Sequence, residues 1–319
     1  MRLLLSLLCT ILIALAGCSP DRTAPRGDLA ERPVRIVATT SMIADLAREI
    51  GGDRVEVEGL MGPGVDPHLY KASEGDVSRM TEADLILYNG LHLEGKMVDI
   101  LERLGDRTAA VTDGIDRDRL VKPEVYEGNF DPHVWMDVSM WKDAARTVAD
   151  RLAALDTAHA AGYRARADEY LATLDSLDAW VEEQTARVPE DQRVLVTAHD
   201  AFGYFGLAYD FEVRGLQGIS TATEAGTGDV QDLAEFVAER EIPAMFVESS
   251  VSARSIEAVR EAVRARGFDV EIGGNLYSDA LGGAGSGADY YEGMIRHNVN
   301  TIVGALAPAE QAGEPVAQR

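Results

Sequence analysis

Short apolar runs alternate with amphipathic segments along most of this chain. Residues Val34–Ala38 are mostly apolar, and after Ser41 the apolar positions recur at the three- and four-residue spacing of a helix as far as Gly51 and Gly52. These patterns predict a buried strand followed by a helix that Ser41 caps. Residues 55–60 and Leu85–Tyr88 have the composition of further strands, each followed by a loop and a helical segment.

The second half of the chain repeats this alternation. Strands are predicted at residues 194–197, 244–247 and 270–272, with helices at 230–240 and 256–266. Regular alternation of strands and helices is typical of parallel sheets that are covered by helices. We therefore predict an α/β protein of two lobes, each built on a mainly parallel sheet flanked by helices.

One long helical segment separates the two halves. Between residues 157 and 188 no glycine follows Gly162, the next proline is Pro189, and apolar residues recur at helical spacing. We predict one rigid helix at 157–189 that joins an N-terminal lobe at 33–156 to a C-terminal lobe at 190–310, followed by a tail at 311–319. Such a helix would restrict hinge opening between the lobes. A helix that packs within a single domain would give the same pattern, and this alternative stays open.

The first residues have the features of a bacterial lipoprotein signal. Arg2 supplies a positive charge, an apolar stretch follows, and small residues precede Cys18. The apolar stretch is shorter than the roughly 20 residues that a helix needs to cross a bilayer. We predict a signal peptide at 1–17, lipid attachment at Cys18 and a flexible tether at 18–32, which places the mature protein outside the cytoplasm on a membrane. An ordinary secretory peptide cut nearby is the alternative.

Composition narrows the chemistry that the mature protein can perform. The two cysteines are Cys9, inside the predicted signal, and Cys18, so no thiol remains for a disulfide, a thiolate metal site or a nucleophile. The formal net charge of -24 argues against nucleic acid and anionic lipid surfaces as partners, because both require a basic patch. Cationic partners are favoured instead. Lysine is scarce beside arginine, which together with the acidic excess fits either a salt-adapted organism or simply an acidic exported protein.

Three of the six histidines lie in short segments that follow predicted strands or turns. His68 and His133 each end an Asp-Pro-His tripeptide, and His199 follows the strand at 194–197. Because ligands of open α/β sheets bind outside the carboxyl ends of the strands, these residues are expected to converge in the crevice between the lobes. Asp279, past the strand at 270–272, is the fourth candidate. Three imidazoles and one carboxylate complete the coordination of a divalent transition metal.

The remaining candidates have supporting or structural roles in this interpretation. Glu248 ends the strand at 244–247 and is a candidate to orient one of the imidazoles through a hydrogen bond. His92 is expected to be structural, His159 to be solvated, and His297 to pack within a C-terminal helix.

At these residues the chain resembles the metal-binding lipoproteins of bacterial ABC transporters, and among them the TroA-type proteins. The similarity runs from about residue 34 to 306, and its most specific pieces are Gly64-Val65-Asp66-Pro67-His68, Asp131-Pro132-His133-Val134-Trp135-Met136-Asp137, Thr197-Ala198-His199-Asp200-Ala201-Phe202-Gly203-Tyr204 and Leu276-Tyr277-Ser278-Asp279. The resemblance implies two α/β lobes joined by a rigid helix, one metal ion held by His68, His133, His199 and Asp279, and delivery of that ion to a membrane permease. We further expect a monomer.

The ligand set favours Zn²⁺ as the cargo and leaves Mn²⁺ open, because nitrogen-rich sites bind Zn²⁺ more tightly. Typical manganese-specific members of the family carry a glutamate at the position of His199. Many zinc-specific members carry a long histidine-rich loop before the second histidine, whereas residues 121–130 are short here and contain no histidine. The resemblance therefore supports metal uptake more firmly than it identifies the metal.

Two other functions use similar residues. A zinc hydrolase also binds its metal through histidines and a carboxylate, but it needs an open coordination position and a nearby base, and the His-Glu-x-x-His helix that commonly supplies them is absent. A metal-binding surface adhesin would share only the lipid anchor. We expect a transport protein without enzymatic activity.

Overall fold

The computed structural model describes residues 28–126 and 128–308. Cys18, the predicted signal peptide and the predicted tail at 311–319 lie outside the described residues. No helix within the described part is both long and apolar enough to cross a bilayer.

The N-terminal lobe is built on a four-stranded parallel sheet. Its strands are β1 (Val34–Ala38), β2 (Val55–Gly59), β3 (Leu85–Tyr88) and β4 (Thr108–Ala110), and its helices are α1 (Ser41–Gly51), α2 (Glu74–Glu82), α3 (Val98–Leu104) and α4 (Val138–Leu155). The strand order is β2-β1-β3-β4. Because all four strands run in the same direction, their carboxyl ends lie along one edge, which carries the loops that face the other lobe.

The cap of α1 differs from the sequence prediction. Thr40, and not Ser41, accepts the hydrogen bond from the Ile43 N–H at 3.4 Å, so the prediction that Ser41 caps this helix is wrong. Ser41 is the first residue of the helix, and its hydroxyl instead accepts the backbone N–H of Leu281 at 2.9 Å. The sequence alone cannot distinguish adjacent Thr and Ser as caps, and here a distant chain segment occupies the serine.

The C-terminal lobe contains two pairs of parallel strands. The strands are β5 (Val194–His199), β6 (Glu212–Gln217), β7 (Ala244–Glu248) and β8 (Glu271–Leu276), paired as β5 with β6 and β7 with β8. The helices are α6 (Gly203–Tyr209), α7 (Thr227–Glu239), α8 (Arg254–Ala265) and α9 (Tyr291–Leu306).

The last strand extends beyond its predicted end. The prediction stopped at residue 272, whereas β8 continues through Gly273 and Gly274 to Leu276. Glycine is depleted in strands, but a Cβ on Gly273 would come within 2.7 Å of the Phe246 ring. The close packing of β8 on β7 therefore requires a residue without a side chain at this position. Two further strands were not predicted from the sequence: β4, which has only three residues, and β6, whose residues are mostly polar or half-buried.

Helix α5 (Ala160–Thr185) connects the lobes. Its 26 residues span about 39 Å at 1.5 Å per residue. It buries one stripe that includes Tyr163, Leu174 and Val181. These side chains belong to a hydrophobic cluster that is continuous from β1 and α1 through α4 and α5 to β5, α6 and α9. The predicted fold class, two α/β lobes with a long connecting helix, is confirmed.

Candidate metal site

The structure brings all four predicted ligands together in the crevice between the lobes. His68 lies in the loop after β2, His133 precedes α4, His199 is the last residue of β5, and Asp279 follows β8. One donor atom from each lies within 4.8 Å of the others. The four residues are only 4%, 0%, 0% and 1% exposed, in that order. Segments from both lobes therefore place three imidazoles and a carboxylate around one buried point.

Three of the distances between donor atoms have the size expected around a small cation. The Nε2 atoms of His68 and His133 are 3.3 Å apart, His133 Nε2 is 3.5 Å from Asp279 Oδ1, and His199 Nε2 is 3.3 Å from Asp279 Oδ2. A tetrahedron with metal–ligand bonds of 2.0–2.1 Å has edges of about 3.3–3.4 Å. The three separations are close to this value, and both oxygens of Asp279 contribute to them.

Asp131 orients His133. Its Oδ1 accepts the His133 backbone N–H at 2.9 Å and lies 2.7 Å from Nδ1 of the same residue. An ionised carboxylate only accepts hydrogen bonds, so this contact places the proton on Nδ1 and leaves the lone pair on Nε2. Tyr204 of α6 donates its hydroxyl to the Asp131 carbonyl at 3.0 Å. This role of Asp131 was not predicted from the sequence, although the repeated Asp-Pro-His tripeptide carried the signal.

Glu248 holds His199 in the same way from another strand. Oε1 accepts the His199 backbone N–H at 2.8 Å, and Oε2 lies 2.6 Å from Nδ1. Glu248 is the last residue of β7 and is buried. The contact therefore has the geometry that the sequence analysis proposed for this glutamate, and it again directs Nε2 into the crevice.

His68 is held less firmly than the other two imidazoles. Asp66 Oδ1 accepts the His68 backbone N–H at 2.8 Å, as in the second Asp-Pro-His tripeptide. The other oxygen of Asp66 accepts the hydroxyl of Thr221, from the C-terminal lobe, at 2.5 Å. Among the described residues, no carboxylate accepts a hydrogen bond from Nδ1 of His68. The aspartate of the tripeptide thus orients the imidazole of His133 in one case, whereas the aspartate before His68 connects the two lobes.

Two buried atoms of the site lack hydrogen-bond partners among the described residues: His199 Nε2 and Asp279 Oδ1. An unsatisfied polar atom in a protein interior is costly, and when the His199 ring is neutral both atoms have lone pairs directed to the same crevice. A cation bound between them would satisfy both. The chemistry of the donor set thus fits a divalent metal ion.

Burial and charge shift the pKa values of these groups in different directions. Burial lowers the pKa of His68 to about 3, despite the nearby Asp279 carboxylate. Burial also acts to lower the pKa of His199, but the carboxylates of Glu248 and Asp279 outweigh it and raise that pKa well above its ordinary value. Burial acts to raise the pKa of Asp279, yet the three histidines, His199 foremost, hold it below its usual range. Asp279 is therefore ionised and supplies negative charge to the site.

The loop before His133 is fixed by a buried glutamate. Glu94 Oε1 accepts hydrogen bonds from the Thr39 hydroxyl and the Asn89 N–H, both at 2.7 Å. The side-chain amide of Asn89 in turn donates to the carbonyl of Pro132 at 3.0 Å. Residues after β1 and β3 thus support the segment that carries His133.

The other histidines stand outside the four-residue cluster. His92 is exposed and, with His68, lines a cavity of about 540 Å³ that reaches the site. His159 is partly exposed and lies 3.0 Å from the Asp156 carboxylate. His297 is exposed, but its ring packs on that of Tyr277 with centroids 4.9 Å apart, and its Nε2 lies 2.9 Å from the Asn275 carbonyl.

Comparison with known proteins gives the family. The family described as ZnuA, zinc-uptake complex component A, periplasmic, matches residues 36–305. The chain belongs to this family. The manganese-binding lipoprotein MntA of Bacillus subtilis (strain 168) is 49% identical to this ZnuA-family chain over 295 residues, 92% of this chain and 95% of the relative. The zinc-binding protein TroA of Treponema pallidum (strain Nichols) is 50% identical over 274 residues, 85% of this chain and 88% of the relative.

A solved structure supports the same assignment. The periplasmic zinc-binding protein TroA from Treponema pallidum matches this fold with a TM-score of 0.84 and 49% identity, covering 86% of this chain and all of the other, 100%. Proteins of the ZnuA family are extracytoplasmic metal-binding components of ABC transporters. The chain is therefore a transport protein that works outside the cytoplasm and not an enzyme, and the hydrolase alternative is rejected.

Proposed function

We propose that this protein captures one divalent transition metal ion through His68, His133, His199 and Asp279 and delivers it to the permease subunits of an ABC transporter. The observation that carries the proposal is the convergence of four donor atoms within 4.8 Å, two of them buried without partners in the described chain. Each of the two lobes supplies two ligands, so the ion is held between them.

The proposed cargo is Zn²⁺ in preference to Mn²⁺. Three imidazoles and one carboxylate match the tetrahedral geometry of Zn²⁺, whereas Mn²⁺ gains from additional oxygen ligands. Relatives of nearly equal similarity carry names that refer to different metals, at 49% identity for the manganese-binding protein and 50% for the zinc-binding one. Overall similarity therefore does not distinguish the cargo, and the donor atoms are the better guide.

The lobes are proposed to release the ion through a small local opening rather than a wide hinge motion. The units proposed are an N-terminal lobe at 33–156, a linker at 157–189 and a C-terminal lobe at 190–310. Trp141 of α4 stacks on Tyr291 of α9 with ring centroids 5.0 Å apart, inside the hydrophobic cluster shared by both lobes. Wide opening would expose part of this cluster to water, at a cost of about 25 cal/mol per Å² of apolar surface.

The protein is further proposed to act as a monomer attached to a membrane through acyl chains on Cys18. Removal of residues 1–17 would leave Cys18 at the N-terminus, and a tether at 18–32 would let the lobes reach the permease. Several relatives are named lipoproteins, which supports this assignment.

Elemental analysis of the protein, purified without chelators or added metal, tests the proposal. We expect close to one equivalent of divalent metal per chain, with Zn²⁺ predominant. A protein that is purified without metal and cannot take up Zn²⁺ or Mn²⁺ would contradict the proposal. A deletion strain whose growth depends on added metal would separate metal uptake from a role as a surface adhesin.

A further inference from the structure

Tyr204 of the C-terminal lobe holds the backbone directly before His133, a candidate ligand of the other lobe. It lies in α6 and is almost fully buried. Its hydroxyl accepts the backbone N–H of Val121 at 3.1 Å and donates its single proton to the carbonyl of Asp131 at 3.0 Å. Val121 and Asp131 are themselves paired, since the Asp131 N–H donates to the Val121 carbonyl at 2.9 Å. The hydroxyl therefore fixes a closed backbone pair that includes Asp131.

Helix α6 also limits the space around the Asp131 carboxylate. A Cβ on Gly203, the first residue of the helix, would come within 2.9 Å of Asp131 Oδ2. That separation is too short for a real contact, so a side chain at this position would displace the carboxylate. The other oxygen, Oδ1, is the one that accepts the His133 N–H and lies 2.7 Å from its Nδ1. The helix thus contacts Asp131 at both its carbonyl and its carboxylate, and Asp131 contacts the ligand.

The same helix is fixed relative to His199, the candidate ligand that ends β5. The Ala201 N–H donates to the His199 carbonyl at 3.0 Å immediately before α6 begins. At the other end, a Cβ on Gly206 would come within 2.6 Å of the Phe211 carbonyl, so α6 packs closely on the segment that leads into β6, the partner of β5. The element that contacts Asp131 therefore keeps a defined position beside His199.

We infer that α6 positions His133 for the metal ion through Asp131, with Tyr204 as the positioning residue. This inference rests on the proposed function, since it concerns the same ion. Tyr204 has no hydrogen bond to a proposed ligand, so it acts only through Asp131. A weakly supported orienting group leaves a site too loose, and binding must then restore its position at a cost in affinity. One helix of the C-terminal lobe would thus set the positions of two imidazoles, one from each lobe.

The test compares Tyr204→Phe with Tyr209→Phe as the matched control. Tyr209 is a buried residue of the same helix, and its hydroxyl donates to Asp178 of α5 at 2.9 Å. Each substitution removes one hydroxyl and its hydrogen bonding from a buried ring of α6, but only Tyr204 is linked to Asp131. The measurements are the Zn²⁺ dissociation constant by competition titration and the unfolding temperature of the metal-free protein. Tyr204→Phe is also combined with Asp131→Ala in a double-mutant cycle.

We expect Tyr204→Phe to bind one equivalent of Zn²⁺ roughly threefold to tenfold more weakly, the equivalent of one hydrogen bond. Tyr209→Phe should keep the wild-type affinity although it also lowers the unfolding temperature. In the Asp131→Ala background, Tyr204→Phe should change the affinity less than it does in the wild type, because the group through which it acts is gone.

Gly203→Ala tests the same link while keeping the hydroxyl. Its Cβ should displace Asp131 Oδ2 and weaken Zn²⁺ binding, whereas Gly228→Ala in α7, where a Cβ meets nothing within 4 Å, should not. Wild-type Zn²⁺ affinity in Tyr204→Phe or in Gly203→Ala would overturn the inference. An equal loss in Tyr209→Phe, or full additivity with Asp131→Ala, would do so as well. Failure of the wild type to bind metal would instead refute the proposed function.

Discussion

Each carboxylate oxygen of Glu248 binds a different group of His199: Oε1 accepts the backbone N–H at 2.8 Å, and Oε2 lies 2.6 Å from ring Nδ1. The two contacts fix both the position of the residue and the tautomer of its ring. Because the proton is held on Nδ1, the lone pair of Nε2 is available to a metal. Asp131 does the same for His133 with a single oxygen.

Replacement of Glu248 by glutamine should weaken metal binding without removing it. The amide group can still accept the backbone N–H, but its NH₂ would face Nδ1 as a second donor and favour the wrong tautomer. We expect the Zn²⁺ affinity of Glu248→Gln to fall roughly 10–100-fold with unchanged stoichiometry. Glu257→Gln, on the exposed surface of α8, is the control. Equal affinity in the two variants would show that Glu248 does not orient the ligand.

Replacement of one imidazole by a carboxylate should reduce the preference of the site for Zn²⁺ over Mn²⁺. His199→Glu replaces a nitrogen ligand with oxygen, which weakens Zn²⁺ binding more than Mn²⁺ binding. Competition titrations of both proteins measure the change. A wild type that prefers Mn²⁺, or a variant with a larger preference for Zn²⁺, would indicate that the geometry of the lobes and not the type of ligand determines selectivity.

Acidification should weaken metal binding, mainly through His199. The raised pKa of His199 means that a proton competes with the metal near neutral pH, and lower pH strengthens this competition. His68, with its pKa lowered to about 3, stays neutral until strongly acidic conditions. We expect release of about one proton or more per metal bound between pH 8 and 6, detectable in weakly buffered solution. Metal affinity that does not depend on pH over this range would argue against His199 as a ligand.

The sequence predicts which residues converge at the site, but it does not predict the contacts that hold them there. The two Asp-Pro-His tripeptides and His199 were found because each follows a strand or turn, and parallel strands bring such positions to one edge. The different partners of Asp66 and Asp131 could not be predicted, because the tripeptides are identical and only their tertiary surroundings differ. The Ser250 hydroxyl donates to Asp279 Oδ2 at 3.1 Å, and no local sequence signal predicts this contact, since it depends on how β7 and β8 align.

The extent of β8 shows a related limit of prediction from sequence. Its glycines indicate a loop by their intrinsic preference, yet Phe246 packs against the space that a side chain at Gly273 would occupy. A long helix such as α5 is predicted more reliably, because its buried residues recur every three or four positions along one face. This local pattern can be recognised without knowing which distant segment packs on the helix.

Membrane attachment should depend on Cys18. A single acyl chain gives only marginal binding, so the multiple chains of a lipoprotein are needed for stable retention. We expect Cys18→Ala to abolish labelling with a radioactive fatty acid and to release the protein from membranes, with Cys9→Ala as the matched control. Continued labelling of Cys18→Ala would refute the assignment of this residue as the lipidation site.

A Zn²⁺ competition titration of the wild type and His133→Ala tests most directly whether the four-residue cluster is the metal site. His133 is fully buried, and its Nε2 lies 3.3 Å from His68 Nε2 and 3.5 Å from Asp279 Oδ1. The control is His297→Ala, which removes an exposed imidazole that bonds to the Asn275 carbonyl. The wild type and His297→Ala should each bind one equivalent tightly, and His133→Ala should lose more than the roughly 10–100-fold expected for an orienting residue. Wild-type affinity and stoichiometry in His133→Ala would contradict the assigned site.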